Sequence, residues 1–105
     1  MRMTIPTQLV LQVLLEDVSV ERYGYELGDV AGLPSGTVHP ILARLEGAGW
    51  LESRWEVVDA AAAGRPARRY YRLTAEGVGA AQAGLARAHR SRRSRPGTLP
   101  APEPT

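Results

Sequence analysis

The apolar positions from Val38 to Leu45 follow the period of one helix face. They stand at i, i+3, i+4 and i+7, the spacing of a single buried stripe, and are Val38, Ile41, Leu42 and Leu45. The opposite face is short-chained except for Arg44. Such a slim face suits a helix that enters the major groove of DNA, although the period alone fits an ordinary core helix at least as well. Leu33-Pro34-Ser35 predicts a turn before the helix, with Ser35 as its N-cap.

The pattern changes to alternation after this helix. From Trp50 to Val58 every second residue shares a side, with Leu51, Trp55 and Val57 on one side, which predicts a half-buried strand. Residues 59–67 predict a loop of small residues, and residues 68–73 a second strand rich in Arg and Tyr. The order of turn, helix and hairpin predicts a winged helix-turn-helix, whose helix enters the major groove while the hairpin, or wing, lies on the backbone or the minor groove.

Further helices are predicted on both sides of this unit. Thr4-Ile5-Pro6 begins a first helix that runs to about Glu16, and its wide apolar face predicts two partners, its own core and another subunit. Thr74 caps a last helix with the apolar stripe Val78, Ala81, Leu85 and Ala88. Three glycines weaken this last helix, so its stability is expected to come from a partner.

A second helix is predicted over residues 21–30, ahead of the turn. Tyr25, Leu27 and Val30 are its packing candidates, and Gly32 ends it. Core packing is the expected role of at least one of Tyr23 and Tyr25.

Charge is divided unevenly along the 105 residues. Residues 1–58 hold four Arg and eight carboxylates, net −4, whereas residues 59–105 hold nine Arg and three carboxylates, net +6. No Lys is present, so every cation is a planar fork that can bind phosphate or guanine with two hydrogen bonds. In an isolated hairpin such arginines would more often be a solvated surface. The chain length indicates one small domain with a thin core.

Several classes of protein are disfavoured. The chain contains no Cys, which excludes disulfides and thiol catalysis, and His39 and His89 have no metal-ligand spacing to other ligands. No phosphate-binding glycine loop or serine nucleophile motif is present, so neither an enzyme nor a cofactor nor a metal is expected. No apolar run has the length of a membrane span and the N-terminus lacks signal-peptide order, so a cytoplasmic protein is expected.

Four blocks of residues in order resemble the PadR family of bacterial transcriptional regulators. They are Tyr23-Gly24-Tyr25-Glu26-Leu27; Ser35-Gly36-Thr37-Val38-His39-Pro40-Ile41-Leu42 with Arg44-Leu45-Glu46 and Gly49-Trp50-Leu51; Gly64-Arg65-Pro66; and Arg68-Arg69-Tyr70-Tyr71-Arg72-Leu73-Thr74 with Glu76-Gly77. The resemblance implies a winged-helix dimer that represses by occupying an operator, and it allows one tyrosine hydroxyl to reach a phosphate. The chain departs from the family at His39, where Tyr is usual; a neutral His donates one hydrogen bond with shorter reach, and its charge depends on pH.

The expected fold is α+β and mainly helical: a winged helix-turn-helix with a two-stranded wing over residues 1–74, a dimerisation helix over 75–90 and a disordered Arg/Pro-rich tail over 91–105. The tail either adds non-specific DNA contact or only solubilises. The expected DNA-binding residues are Tyr25, Ser35, Gly36, Thr37, His39, Pro40, Arg44, Arg65, Arg68 and Arg69. The expected dimer contacts are Leu9, Val10, Val13, Val78, Ala81 and Leu85.

The expected function is sequence-specific transcriptional regulation by a homodimeric repressor at an inverted-repeat operator, with release by an unidentified small-molecule effector left open. Thr37 and His39 are expected on base edges and Arg65, Arg68 and Arg69 on phosphate or the minor groove. The alternative is a winged helix used as a protein-interaction module. This alternative is disfavoured because the slim helix face and the wing arginines suit DNA, whereas a protein interface would more often present exposed aromatic side chains there.

Overall fold

The computed structural model describes residues 1–94, which form five helices and three strands. In chain order they are α1 (Ile5–Glu16), β1 (Arg22–Tyr23), α2 (Gly24–Ala31), α3 (Ser35–Gly47), β2 (Leu51–Trp55), α4 (Ala60–Ala63), β3 (Arg69–Leu73) and α5 (Ala75–Ser94). The first helix has its predicted bounds. The last helix continues to Ser94, so it includes residues 91–94 of the predicted tail; the rest of that tail lies outside the described residues.

The sheet has three antiparallel strands in the order β1-β3-β2. Its third strand is a correction, because residues 21–30 were expected to be entirely helical. Arg22 pairs with Tyr71 and Tyr23 with Tyr70, and the helix begins only at Gly24. A two-residue strand is too short to show an alternating hydrophobic pattern, so its sequence does not predict it. It forms because it pairs with β3.

The core lies between the helices and one face of this sheet. The whole predicted stripe of α3 is buried, at no more than 3% exposure, together with Leu11, Leu14 and Leu27. Val10, Val13 and Ala81, which were expected at a dimer interface, are also buried within the single chain, at 0%, 5% and 0% exposure. They have no surface left for a partner. Leu9, Val78 and Leu85 remain partly exposed.

One predicted helix cap is confirmed and one is wrong. The amide of Gly77 donates to the Thr74 hydroxyl at 2.9 Å, as predicted, and Thr4 caps α1 in the same way, with the amide of Thr7 donating to its hydroxyl at 3.3 Å. Ser35 is instead the first residue of α3, and the N-cap is Pro34. The carbonyl of Pro34 accepts the amides of Thr37 and Val38, and no side chain caps this helix.

Glycine allows a close approach between α5 and the start of the wing. A Cβ on Gly77 would lie 1.9 Å from the carbonyl oxygen of Trp50. The Thr74 hydroxyl, one turn earlier, donates to the Gly49 carbonyl at 2.8 Å. These two contacts fix α5 against the base of the hairpin. Within residues 1–94 no helix is long and apolar enough to cross a membrane.

Candidate nucleic-acid interface

The outer face of α3 is open to solvent along its length. Because its stripe is buried, the opposite face projects away from the core. Its members are Gly36, His39, Pro40, Ala43 and Arg44, which are exposed, and Ser35 and Thr37, which are partly exposed. Arg44 has no ion pair among the residues that the structure describes. The face is slim enough to approach base edges, as its sequence predicts.

Tyr25 and His39 form a contact between α2 and α3. The Tyr25 ring is 66% exposed and meets the His39 imidazole edge to face, with ring centroids 6.1 Å apart. The imidazole lies over Gly24, where a Cβ would come within 2.5 Å of His39 Cε1. Core packing is therefore not the role of Tyr25. Tyr23 does pack, edge to face against Tyr70 at 5.7 Å.

Val30, the other packing candidate of α2, is 52% exposed, and only Leu27 of the three is buried. The eight-residue helix buries just one face, so a candidate list that spans more than half of its circumference cannot all point inward.

The wing extends beyond the body of the protein, and its tip differs from the predicted loop. Four alanines, Ala60–Ala63, form the one-turn helix α4, which Asp59 caps through the amides of Ala61 and Ala62 at 3.0 and 3.4 Å. Val57, expected on the inner side of the strand, is 98% exposed because β2 ends at Trp55. Nothing covers the strand past that point within the described residues.

Arg65 is bound to a carboxylate of the wing itself. Its guanidinium donates to both oxygens of Glu56, at 2.6 and 3.1 Å. Glu56 also accepts the Arg68 amide at 3.3 Å and the Tyr70 hydroxyl at 3.4 Å. The hydrogen bonds from Arg65 are the main reason that the pKa of Glu56 falls to about 2. The Arg65 pKa rises for the same reason.

The other two wing arginines are held by aromatic rings. The Arg68 guanidinium lies over the Tyr23 ring at 4.2 Å, with no ion pair to any residue in the described range. Arg69 lies 5.0 Å from the centre of the Trp55 ring, and 3.7 Å from a carboxylate oxygen of Glu46. The sequence gives no reason to distinguish these three arginines, but their ion pairs differ. Arg65 forms a close ion pair with Glu56, Arg69 a longer one with Glu46, and Arg68 has none within residues 1–94.

A cavity of about 590 Å³, here called the wing cleft, separates the wing from α2 and α3. Its walls combine aromatic and cationic side chains: Tyr23, Tyr25, Trp55 and Tyr71 with His39, Arg65, Arg68 and Arg69. Gly24, Pro66 and Ala67 complete them, so none of the described lining residues is a carboxylate. The structure thus joins five predicted DNA-binding residues at one site, while Thr37 and Arg44 lie outside the cleft on α3.

Sequence reasoning missed Trp55 and Glu56 at this site. The alternating pattern assigned Trp55 to the same side as buried Leu51, yet Trp55 is 59% exposed. The length of the predicted strand could have indicated this exposure, because the end of a strand that extends past the neighbouring helices is no longer buried by them. Within residues 1–94 no three or more His, Asp or Glu side chains are grouped to hold a metal.

Helices α2 and α3 form a helix-turn-helix, and the second of them presents an open face beside the antiparallel hairpin of β2 and β3. This arrangement defines a winged helix-turn-helix protein. The family model described as "Transcriptional regulator PadR-like family" matches residues 10–83, most of the chain. The protein therefore belongs to the PadR-like family and is a DNA-binding transcriptional regulator. The family consists of regulators and not of enzymes, in agreement with the sequence-based expectation.

Solved structures share this fold. A PadR family transcriptional regulator from Eggerthella lenta is 32% identical, with a TM-score of 0.62 over 79% of this chain and 73% of that one. A transcriptional regulator from Clostridium thermocellum is 22% identical, with a TM-score of 0.66 over 84% of both chains. The PcaV regulator of Streptomyces coelicolor, solved with its natural ligand, is 24% identical, with a TM-score of 0.69 over 94% of this chain and 64% of that one. No curated protein matches the chain in sequence.

Proposed function

We propose that the protein is a repressor that binds an inverted-repeat operator as a homodimer in the cytoplasm. The observation that carries the proposal is the wing cleft, whose walls hold three Arg and one His beside the open face of α3 and, among the described lining residues, no carboxylate. A polyanion fits such walls, because phosphates are attracted to cations, and Arg68 has no ion pair within residues 1–94. The slim face of α3 then approaches the bases while the wing contacts the backbone.

Roles within this surface follow from exposure and pairing. Thr37 and His39 lie in the first half of α3, where helix-turn-helix proteins make most of their base contacts. Arg68 has no carboxylate partner within residues 1–94, so it is the strongest candidate for a phosphate contact. Arg44, one turn further along α3, reaches either a base edge or a flanking phosphate.

The homodimer is supported by surface that a single chain leaves uncovered. Leu9, Val78 and Leu85 are only partly buried, and Ile5 is 51% exposed. Past Leu85 the side chains of α5 have little cover, and a helix with glycines at 77, 79 and 84 is weak by itself. A second copy of the chain, packed on α1 and α5 about a two-fold axis, would cover both these apolar side chains and the end of α5. Its two α3 helices would then enter successive major grooves, about one helical turn apart.

The proposal includes release of the operator by a small-molecule effector, since the similar PcaV regulator was solved with its natural ligand. A metabolite that abolishes the mobility shift of the operator duplex would support this step.

A protein-interaction module is the second candidate, and the exposed rings of Tyr25 and Trp55 favour it. The expectation that this surface lacks exposed aromatics is wrong. A protein partner would have to be acidic, however, because the cleft walls are cationic.

The decisive experiment is an electrophoretic mobility shift with a duplex from the promoter of the protein's own gene and a scrambled duplex as control. Selective binding, and a footprint with two symmetric half-sites, are expected. Sedimentation at micromolar concentration should show a dimer, and a single 11.4 kDa species would contradict the two-fold arrangement. Equal failure to bind both duplexes would favour the protein-interaction module.

A further inference from the structure

Trp55 is an exposed aromatic ring that the wing holds in place. The side chain ends β2 opposite Arg69, its register partner on β3, and the Arg69 guanidinium lies 5.0 Å from the ring centre. The ring is 59% exposed, although Trp is among the side chains that gain most from burial. Together with Tyr25, which is 66% exposed in the same cleft, the ring forms an exposed apolar patch rimmed by cations, and such patches mark contact surfaces.

The surroundings of the ring indicate the chemistry of its partner. Trp55 lies in one wall of the wing cleft, and the opposite wall carries Tyr25 and His39. Arg69 lies against the ring, Arg68 lines the same cleft over the Tyr23 ring, and the described lining includes no carboxylate. An apolar surface framed by cations fits a polymer in which apolar units alternate with anions. The DNA backbone, with deoxyribose between phosphates, has this composition.

We propose that Trp55 packs against a deoxyribose of the DNA backbone beside α3, while Arg68 contacts a neighbouring phosphate. The inference rests on the proposed DNA-binding function and adds to it a neutral contact in the wing. The contact is with the sugar, because stacking on a base of the duplex would require unstacking that base. A sugar contact carries no sequence information, so Trp55 contributes affinity for every duplex.

The salt dependence of affinity separates this contact from a phosphate contact. Trp55→Ala should weaken binding to cognate and scrambled duplexes alike, by about tenfold, and leave the salt slope unchanged, because no counterion release depends on a neutral ring. Trp55→Phe should restore most of the affinity. Arg68→Ala should lower both the affinity and the slope. Arg72→Ala is the charge-matched control, since Arg72 lies on β3 but outside the cleft and pairs with Glu52 at 2.6 Å.

Fluorescence supplies a second measurement on the intact protein. Trp50 and Trp55 are the two tryptophans of the sequence. Titration with duplex should change the emission of the wild-type protein strongly and that of Trp55→Phe only slightly. Equal changes in the two proteins would overturn the inference, because the signal would then come from Trp50.

The outcomes distinguish failure of this inference from failure of the proposed function. If the wild-type protein binds no duplex, the proposed function fails and the inference with it. If it binds, and Trp55→Ala binds equally well or loses part of the salt slope, only the sugar contact is overturned. If Trp55→Ala retains DNA affinity but loses self-association in sedimentation, the ring belongs to a protein interface. Unchanged melting temperatures for both Trp55 variants verify that the fold is intact.

Discussion

Arg65 and Arg68 lie three residues apart on the wing, yet Glu56 forms an ion pair with the guanidinium of only one of them. The carboxylate binds the guanidinium of Arg65 but accepts only the backbone amide of Arg68. Arg68 is thereby left over the Tyr23 ring with no ion pair among residues 1–94. One glutamate thus decides which arginine is available to DNA, and it also accepts the Tyr70 hydroxyl of β3 near the tip of the wing.

The first prediction is that the two arginines differ in salt dependence. Arg68→Ala should reduce the slope of log affinity against log salt by about 0.9, the value for one phosphate. Arg65→Ala should weaken binding through loss of wing geometry while leaving the slope nearly intact, because Arg65 is already paired. Fluorescence anisotropy at several salt concentrations measures both. Equal losses of slope would mean that DNA takes Arg65 away from Glu56.

The second prediction concerns Glu56 itself. Glu56→Gln removes the charge that holds Arg65, so the freed guanidinium should gain a phosphate contact. Affinity for a scrambled duplex should rise, with a salt slope steeper by about one phosphate's worth, and discrimination in favour of the cognate duplex should fall. Glu52→Gln is the matched control: it removes the same charge from the same arm of the hairpin, but Glu52 pairs with Arg72 away from the cleft. The prediction fails if the control raises affinity as much.

The third prediction is a pH dependence confined to low pH. The pKa of Glu56 is lowered from 4.5 to about 2, chiefly by hydrogen bonds from Arg65. A depressed pKa in the folded protein means that Glu56 stabilises the wing fully above pH 4.5 and progressively less as pH falls toward 2. NMR shifts of the amides of Arg65, Ala67 and Arg68 should therefore stay constant from pH 7 to about 4.5 and change mainly as the pH approaches 2. Glu56→Gln should abolish that change; a midpoint near 4.5 in the wild type would contradict the ion pair.

Local patterns predicted the parts of this fold that depend on local spacing. The buried stripe of α3, the bounds of α1 and the cap Thr74 all follow from residues within two turns of one another. The errors involve partners distant in sequence. Pairing with β3 makes a strand of Arg22 and Tyr23, and Trp55 and Val57 are exposed because no helix of residues 1–94 covers this end of the wing. The Arg65 to Glu56 pair depends on the hairpin register, which the composition of a loop does not reveal.

The fourth prediction compares two glycines on α5. Gly77→Ala would place a Cβ 1.9 Å from the Trp50 carbonyl oxygen, so backbone must shift, and a destabilisation of about 1–3 kcal/mol or more is expected. Gly79→Ala meets nothing within 4 Å and should stabilise the helix by about 0.5–1 kcal/mol. Urea unfolding at one fixed protein concentration measures both, since a dimer would make stability concentration-dependent. The same sign for both variants would contradict the close approach.

The last prediction tests whether α3 reads the bases through His39. His39→Ala and Thr37→Ala should each lose roughly 1–3 kcal/mol on the cognate duplex and little on a scrambled one, if each removes a base contact. Gly24→Ala should act in the same direction without touching DNA, because its Cβ would lie 2.5 Å from His39 Cε1 and must displace the imidazole. The fold should tolerate this change, since the imidazole is exposed and can move.

A double-mutant cycle shows whether Gly24 acts through the imidazole. In the His39→Ala background, Gly24→Ala should cause no further loss of specificity, because the side chain that it displaces is already gone. Additive losses would mean that Gly24 affects another part of the interface, such as the position of Tyr25. A different result would reverse the assignment of roles altogether: if Arg68→Ala changes the preference between duplexes while the three helix variants change nothing, the wing reads the sequence and α3 only positions it.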